Sequence, residues 1–308
     1  MQKNVEKNGS ILFSRCCDEW LEFKKNLVKE SSYYNYKFTV EKNIKPVLGN
    51  KTLAEMEQYD MNEFIKIKKE QGITTTLKEI LVRIKSIFRY TQKKYGRRFD
   101  FEFHSGYIPR VQRLEVFTET ENKRLFRFLT TTDDIRNIGV LICLYSGLRI
   151  GEICGLKWKD IDLETKEISV ERTVQRLYTG KGVKSKVVVT LPKTIKSIRQ
   201  IPLAKCLVSF LEEKKKQYDS ECYVITGDKE KCFEPFTYRY VYRQVLKKCD
   251  IPYKKFHTLR HTFASRCIKV GMDIKSLCEV LGHSNITTTM NIYVHSSYEI
   301  KKKYIDRL

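Results

Sequence analysis

Four of the five histidines lie in the last 52 residues of this 308-residue chain, at positions 257, 261, 283 and 295. An imidazole can exchange a proton near neutral pH or bind a metal ion, so this clustering indicates a chemical site. His257 and His261 are four residues apart, as in the zinc motif H-E-x-x-H, but position 258 is threonine and no C-x-x-C pair occurs. We therefore predict no metal site and no cofactor.

A stronger candidate is the pair His257 and Arg260, which lie three residues apart and would share one helix face. A guanidinium offers a rigid fork of donors and an imidazole can pass a proton, so the pair suits an anionic oxygen such as that of a phosphate. On its own, such a pair is more often two surface residues without a function. Other short motifs along the chain make a functional role for this pair more convincing.

These motifs contain an arginine, a lysine, a histidine and a tyrosine. Arg149 follows a glycine break after an apolar run and has Glu152 three residues on, which fits either a helix ion pair or an arginine held for a phosphate. Lys193 occupies a turn between predicted strands, where a lysine is usually just exposed. His283 stands in a Leu-Gly-His turn and Tyr293 follows ten residues later, between apolar neighbours that are typical of a core.

The order of these motifs is more informative than any one of them. An arginine, a lysine, His-x-x-Arg, Leu-Gly-His and a tyrosine, in this order and on these elements, resemble the catalytic domain of the tyrosine recombinase, or phage integrase, family. The resemblance covers roughly residues 110–308, and the helical segment before it is similar to the core-binding domain of that family.

The resemblance implies that DNA strands are cut and rejoined through a 3′-phosphotyrosyl intermediate. Positive side chains would stabilise the transition state and the phosphotyrosine would conserve the bond energy, so neither Mg²⁺ nor ATP is expected. The implied roles are nucleophile for Tyr293, phosphate clamp for Arg149 and Arg260, general acid for Lys193, proton transfer with the tyrosine for His257, a hydrogen bond to the phosphate for His283, and support of Arg149 for Glu152. His261 is predicted to be structural, and the rival tyrosines Tyr298 and Tyr304 to lie on a packing face.

The first hundred residues have the apolar spacing of four helices joined by short turns. The first is predicted from the spacing of Leu12, Cys16, Trp20 and Phe23, and the third is expected to start after Asp60 with Glu63 completing a capping box. The clearest apolar stripe follows, formed by Leu77, Ile80, Leu81, Ile84, Ile87 and Phe88. We predict that the stripes form the core of a helical DNA-binding domain, residues 1–98.

The helical pattern lapses over residues 99–116, which we interpret as a linker containing a glycine and a proline. A capping box of Thr118 with Glu121 then opens a second domain, residues 117–308. Within it, strands are predicted near 168–170, 187–189 and 198–203, between helical segments. The predicted fold class is mainly α with one small antiparallel β-sheet: a helical core-binding domain followed by an α+β catalytic domain.

The charge of the chain indicates its partner. There are 59 basic and 37 acidic residues, a net charge of +22, and residues 1–100 hold 21 of the basic and 13 of the acidic groups. An excess spread through both halves favours binding to a long polyanion, because contacts with phosphates release counterions. We predict that the two domains close around double-stranded DNA, although a merely soluble basic surface is the plainer alternative.

The sequence is compatible with several hypotheses about the biological role. The ten-residue step from His283 to Tyr293, and the run Pro-Lys-Thr-x-x-Ser-x-Arg-x-Ile-Pro-Leu that ends at Leu203, resemble integrases of phages and conjugative elements more than chromosome-dimer resolvases. A Xer-like resolvase and a non-catalytic DNA-binding protein of the same fold are the alternatives. Type IB topoisomerases share the tyrosine chemistry, but the compact layout fits recombinases better. Only about ten residues precede the first predicted helix, so we expect no arm-binding domain.

The C-terminal tail suggests an assembly. Ile300, Tyr304 and Leu308 follow one another at four-residue steps and are predicted to contact a neighbouring subunit of a homotetramer on paired DNA sites, although a helix packing on its own domain is the alternative. Accessory excision or bending factors are further candidate partners. The scattered cysteines are expected to be reduced and no apolar run is long enough to span a bilayer, so a cytoplasmic, nucleoid-associated protein is expected.

Overall fold

The computed structural model describes residues 10–103, 114–177, 185–190 and 198–283, together with the single residues 290, 302, 305 and 306. The contacts divide the chain into two compact units, one mostly before and one mostly after residue 111, and each is described by itself. Across these described stretches, no helix combines the length and the apolar character needed to cross a membrane.

The first unit is helical. Its helices are α1 (Phe13–Lys25), α2 (Glu30–Thr39), α3 (Lys45–Leu48), α4 (Gln58–Glu70) and α5 (Leu77–Tyr95), and a π turn, Val40–Ile44, joins α2 to α3. All six residues of the apolar stripe predicted on α5 are buried. This unit therefore has its own core, and the prediction of four helical segments is confirmed if the π turn and α3 are counted with α2.

Two local predictions in this unit are wrong in part. On α1 the predicted residues Cys16 and Trp20 are buried, together with Phe13, Cys17 and Leu21, whereas Leu12 and Phe23 are exposed. The helix is turned relative to the predicted face, because Phe13 packs against the ring of Phe88 on α5.

The start of α4 also differs from the prediction. Glu57 is the N-cap, and Asp60 lies in the first turn, where its carboxylate accepts a hydrogen bond from the backbone N–H of Glu57 at 2.9 Å. Asp60 is buried and also paired with Lys51, so it acts inside the helix and the box with Glu63 does not form.

The second unit packs helices around a small sheet. Its helices are α6 (Glu119–Thr131), α7 (Ile138–Ser146), α8 (Ile150–Gly155), α9 (Lys205–Lys215), α10 (Pro235–Lys248), α11 (His257–Lys269) and α12 (Ile274–Leu281), and two 3₁₀ turns lie at Ile135–Asn137 and Trp158–Asp160. The predicted capping box is confirmed at the start of α6, since the Thr118 hydroxyl accepts from the Glu121 N–H and the Glu121 carboxylate accepts from the Thr118 N–H.

The strands are β1 (Ile161–Asp162), β2 (Glu167–Val170), β3 (Thr173–Leu177), β4 (Lys186–Thr190) and β5 (Arg199–Pro202). All three predicted strand regions are confirmed, but they form two sheets rather than one. β1, β2 and β5 make an antiparallel sheet in which Ile168 lies opposite both Ile161 and Ile201, and all three are buried. β3 pairs with β4; Val174 of β3 is buried in the core, whereas Val187 and Val189 of β4 are exposed.

Helix α7 lies at the centre of the second unit. Every one of its residues except Tyr145 is buried, and α11 packs along it. It ends at Gly147, whose left-handed backbone (φ 66°) lets the chain turn at once toward α8. A Cβ at Gly147 would lie 2.5 Å from Phe263 on α11, so a glycine is required both for the turn and for this close packing.

Candidate active site

The first predicted site residue is held at the beginning of α8. Arg149 is the N-cap residue, and the carboxylate of Glu152 accepts one hydrogen bond from its backbone N–H and one from its guanidinium, both at 2.8 Å. A second guanidinium nitrogen donates to the carbonyl of Gly282 at 2.9 Å. The side chain is 38% exposed, so the rest of its five N–H donors lie near solvent, where a phosphate can approach.

The second predicted arginine occupies the interior. Arg260 on α11 is 1% exposed, and its two terminal nitrogens donate to the carbonyls of Gly147 at 2.8 Å and Leu281 at 2.7 Å. These carbonyls stand at the C-terminal ends of α7 and α12. Helix C-termini present unpaired carbonyls with partial negative charge, which stabilise a buried cation. The guanidinium is thereby fixed between the ends of two helices.

A third arginine, which the sequence analysis did not assign a role, completes the cluster. Arg199, the first residue of β5, is 6% exposed and donates to both oxygens of Glu152, at 3.2 and 3.0 Å. Its Nε donates to the carbonyl of Val280 at 2.6 Å. The sequence signal for Arg199 was its place in the Lys-Thr-x-x-Ser-x-Arg-x-Ile-Pro-Leu run. Its local sequence does not indicate that an arginine at the start of a strand turns toward the interior.

The C-terminus of α12 therefore organises the site. Its three successive carbonyls at Val280, Leu281 and Gly282 accept hydrogen bonds from Arg199, Arg260 and Arg149 respectively. Gly282 has a left-handed backbone (φ 63°) that ends the helix. A Cβ there would lie 3.0 Å from a terminal nitrogen of Arg199, so the glycine provides space for that guanidinium.

The charges of this cluster do not cancel. Burial on its own raises the pKa of Glu152, but the hydrogen bond and charge of Arg199 and the charge of Arg149 outweigh it and hold the pKa below its usual value. Glu152 is therefore ionised at neutral pH. The cluster holds three guanidinium groups and this one carboxylate, which contacts two of them, so the cluster is positive and suited to an oxyanion.

Two predicted histidines adjoin the arginines. His283 follows Gly282, and loss of hydration together with the charges of Arg260 and Arg149 lowers its pKa to about 4. His257 begins α11 and keeps an exposed edge; loss of hydration, then His261 and the two arginines, lower its pKa to about 4. Both imidazoles are neutral at pH 7, so each can donate one hydrogen bond and accept a proton.

The ring of His261 packs edge-on against that of His257, with centroids 4.5 Å apart. Loss of hydration and the charge of Arg260 lower its pKa as well. This contact orients the His257 ring, and the structural role of His261 stays a prediction.

The structure thus brings together five of the predicted residues: Arg149, Glu152, His257, Arg260 and His283. The other two, Lys193 and Tyr293, lie outside the described residues, as do the tail residues Ile300, Tyr304 and Leu308. Within the described ranges, no group of three histidine, cysteine, aspartate or glutamate side chains could hold a metal ion. The described part of the site presents arginine and neutral histidine donors, which suit an anion.

Known proteins share both the sequence pattern and the fold. A tyrosine recombinase XerC-like protein of Caldanaerobacter subterraneus is 27% identical over 306 residues, which span 92% of this chain and 75% of the relative. The ICEBs1 integrase of Bacillus subtilis is 24% identical over 323 residues, which span 100% of this chain and 85% of the relative. The solved structure of the Tn1549 transposon integrase in complex with transposon right end DNA matches with a TM-score of 0.77 and 24% identity, over 97% of this chain and 99% of that one. The predicted fold class is confirmed.

Family assignment follows from both parts of the chain. A sequence model of the N-terminal SAM-like domain of phage integrases matches residues 12–68, in the helical first unit. A sequence model of the phage integrase family matches residues 115–299, which is more than half of the chain and includes every predicted site residue. The chain belongs to the phage integrase family of tyrosine recombinases.

Proposed function

We propose that this chain is a site-specific DNA recombinase that cuts and rejoins strands through a 3′-phosphotyrosyl intermediate at Tyr293. The observation that supports it most is the arrangement at the end of α12, where three arginines converge beside two neutral histidines. Such preorganised donors stabilise the charge that develops on a phosphate during phosphoryl transfer.

In the proposed cleavage step, the phenolic oxygen of Tyr293 attacks phosphorus and the bond to the 5′ oxygen breaks. His257, which is neutral at pH 7, takes the phenolic proton, and Lys193 protonates the departing 5′ oxygen. In the return step, the 5′-hydroxyl of a partner strand attacks the phosphotyrosine and releases the tyrosine. No external energy source is needed because one phosphodiester is exchanged for another.

The arginines have different positions in this proposal. Arg149 offers exposed donors to a nonbridging oxygen, and His283 donates to the same phosphate. Arg260 is almost fully buried, so the entering DNA must displace the groups that cover it before its guanidinium reaches the second oxygen. Glu152 holds the Arg149 guanidinium in one orientation, which limits the entropy lost when the phosphate binds.

Covalent trapping tests the proposal. The wild-type protein is incubated in EDTA with a nicked duplex of the element's end site, so that the short cleaved product diffuses away and the linked protein accumulates. We expect a covalent band that is lost in Tyr293→Phe and retained in Tyr298→Phe and Tyr304→Phe. The released strand should carry a 5′-hydroxyl. A genuine site that gives no band would favour a DNA-binding protein without catalysis.

Mobile-element integration and excision is the biological role we favour. The likeness to the ICEBs1 integrase over the whole chain supports it. The XerC-like relative supports a resolvase as the second candidate. A plasmid assay separates them, since an integrase joins the element's end to a different target site, whereas a resolvase recombines two copies of one site.

The assembly and the surroundings are part of the same proposal. Residues 1–98 and 117–308, joined by 99–116, would close around the duplex mainly through phosphate contacts, and four copies would assemble on two paired sites. The tail with Ile300, Tyr304 and Leu308 would contact a neighbouring subunit. Accessory bending or excision factors would set direction. Recombination would take place in the cytoplasm on nucleoid DNA, and the localisation of a fluorescent fusion protein can test this.

A further inference from the structure

We propose that Arg199 is a positioning residue for strand cleavage: it ties Glu152 to the C-terminus of α12 and so holds Arg149 and the turn before His283 in the reactive arrangement. The inference rests on the proposed function, because it assigns Arg199 a part in that same reaction. All three guanidinium nitrogens of Arg199 already donate to Glu152 or to the carbonyl of Val280, so its effect passes through the groups that it contacts.

The contacts of Arg199 join three separate elements. It begins β5, its terminal nitrogens bind the carboxylate of Glu152 on α8, and its Nε binds the carbonyl of Val280 on α12. Arg149 makes the parallel connection from the same carboxylate to the carbonyl of Gly282. Two guanidinium groups thus clamp one carboxylate and one helix end, and this closed arrangement fixes the relative position of α8 and α12.

The charge of Arg199 matters as much as its geometry. Without Arg199, the single negative charge of Glu152 would cancel the positive charge of Arg149. The exposed guanidinium of Arg149, which faces the phosphate in this proposal, would then belong to a neutral pair. With Arg199, the carboxylate is shared and the trio retains a net positive charge. All four acceptor positions of the carboxylate are then filled by Arg149 and Arg199.

The shape of the surroundings is specific for an arginine. A lysine could pair with Glu152, but its point charge cannot bind two carboxylate oxygens and the Val280 carbonyl in one plane. Gly282 provides the space beside the Arg199 side chain, since a Cβ there would lie 3.0 to 3.2 Å from its Nη1, Cζ and Cδ atoms. Arg199 also lies six residues after Lys193, the proposed general acid, in the chain.

Single-turnover cleavage at saturating protein tests the inference, with DNA affinity measured separately. Removing a group that touches transition-state charge costs about 10²- to 10³-fold in rate, so for Arg199→Met, which acts one contact away, we expect a loss of about 10- to 100-fold. Arg199→Lys should fold and lie between this variant and the wild type. DNA affinity should stay unchanged. The rate loss of the double variant Arg199→Met/Glu152→Gln should be smaller than the product of the losses in the two single variants, because the double variant removes both charges of the pair.

The matched control is Arg172→Met, which removes another partly buried arginine that pairs with a buried carboxylate, Asp160, in the same unit. It should lower the unfolding temperature but not the cleavage rate of the folded protein. A rate for Arg199→Lys or Arg199→Met equal to that of the wild type or of this control would overturn the inference. Absence of the covalent complex in the wild type would instead overturn the proposed function.

Discussion

Substituting alanine for Gly282 tests how the end of α12 supports the site. The added Cβ meets two separate costs. The backbone has φ 63°, a conformation that costs an L-residue roughly 1–2 kcal/mol. The Cβ also lies 3.0, 3.1 and 3.2 Å from Nη1, Cζ and Cδ of Arg199, so this side chain must move by a few tenths of an ångström.

The control variant Gly72→Ala separates the backbone cost from the packing cost. Gly72 has the same backbone conformation (φ 74°), but a Cβ there meets nothing within 4 Å. Loss of unfolded-state entropy on Gly→Ala returns about 0.4–1 kcal/mol at either position. We therefore expect Gly72→Ala to lower the free energy of unfolding by about 1 kcal/mol. For Gly282→Ala, the free energy of unfolding should fall by about 1–2 kcal/mol more than for Gly72→Ala, since the hydrogen bonds from Arg199 to Glu152 would lengthen.

The effect on cleavage should be larger than the effect on stability. The carbonyl of Gly282 accepts from Arg149, and a misplacement of about 1 Å at a reacting group can cost about 10²-fold in rate. We expect at least about a tenfold loss in Gly282→Ala. Gly72→Ala should cleave like the wild type once DNA is saturated.

Urea denaturation with tryptophan fluorescence measures the stability, because the two tryptophans, Trp20 and Trp158, report on the first and second units respectively. Cleavage is measured on the nicked substrate under single-turnover conditions. If Gly282→Ala instead resembles Gly72→Ala in both stability loss and cleavage, the contact with Arg199 has no consequence and the prediction is wrong.

The remaining predictions concern the other groups of the site. Arg260→Ala should lose about 10²- to 10³-fold in cleavage, and it should be destabilised by about 1–3 kcal/mol for each of the two helix-end carbonyls that lose their donor, as measured by urea denaturation. Because the pKa values of His257 and His283 are lowered to about 4 in the folded protein from 6.5, their contribution to stability is complete above pH 6.5 and is lost as the pH falls toward 4. Urea titrations at a series of pH values should show this loss, and His283→Gln should make it shallower; an equally steep loss in that variant would contradict the assignment. Raising salt from roughly 50 to 200 mM should weaken DNA binding by roughly 10³- to 10⁵-fold, as roughly 6–10 phosphate contacts require, while Arg149→Ala should change that slope little in a filter-binding titration. Truncation after Ser297 should leave covalent cleavage intact but abolish strand exchange between paired sites, and unaltered exchange would exclude the tail as a subunit contact.

Local signals in the sequence predicted local structure well. The capping box of Thr118 with Glu121 formed because both partners lie within one turn of helix, and the α5 stripe was buried because helical spacing places it on one face. The predictions failed where a distant group competed. Asp60 is drawn into a buried pair with Lys51 and caps from inside the helix, and the packing of Phe13 on α5 turns α1 away from its predicted face.

The same division applies to the candidate site. The order of the motifs predicted Arg149, Glu152, His257, Arg260 and His283, since each stands in a short recognisable context. The structure places these five together, but their catalytic roles, like those of Lys193 and Tyr293, stay predictions. The contacts that make these residues a site join positions far apart in the chain, such as Arg149 with Gly282, 133 residues away, and Arg260 with Gly147, 113 residues away.

By itself, the sequence determined the family, the fold class and the chemistry, because residue types and short spacings specify helix faces, turns and the groups able to bind a phosphate. Only the tertiary structure decided that the C-terminus of α12 is the point where the arginines meet, and that Arg199 is one of them. The physical reason is that a buried guanidinium must find acceptors wherever the fold places them. Those acceptors are backbone carbonyls, which every residue has and which no sequence motif marks.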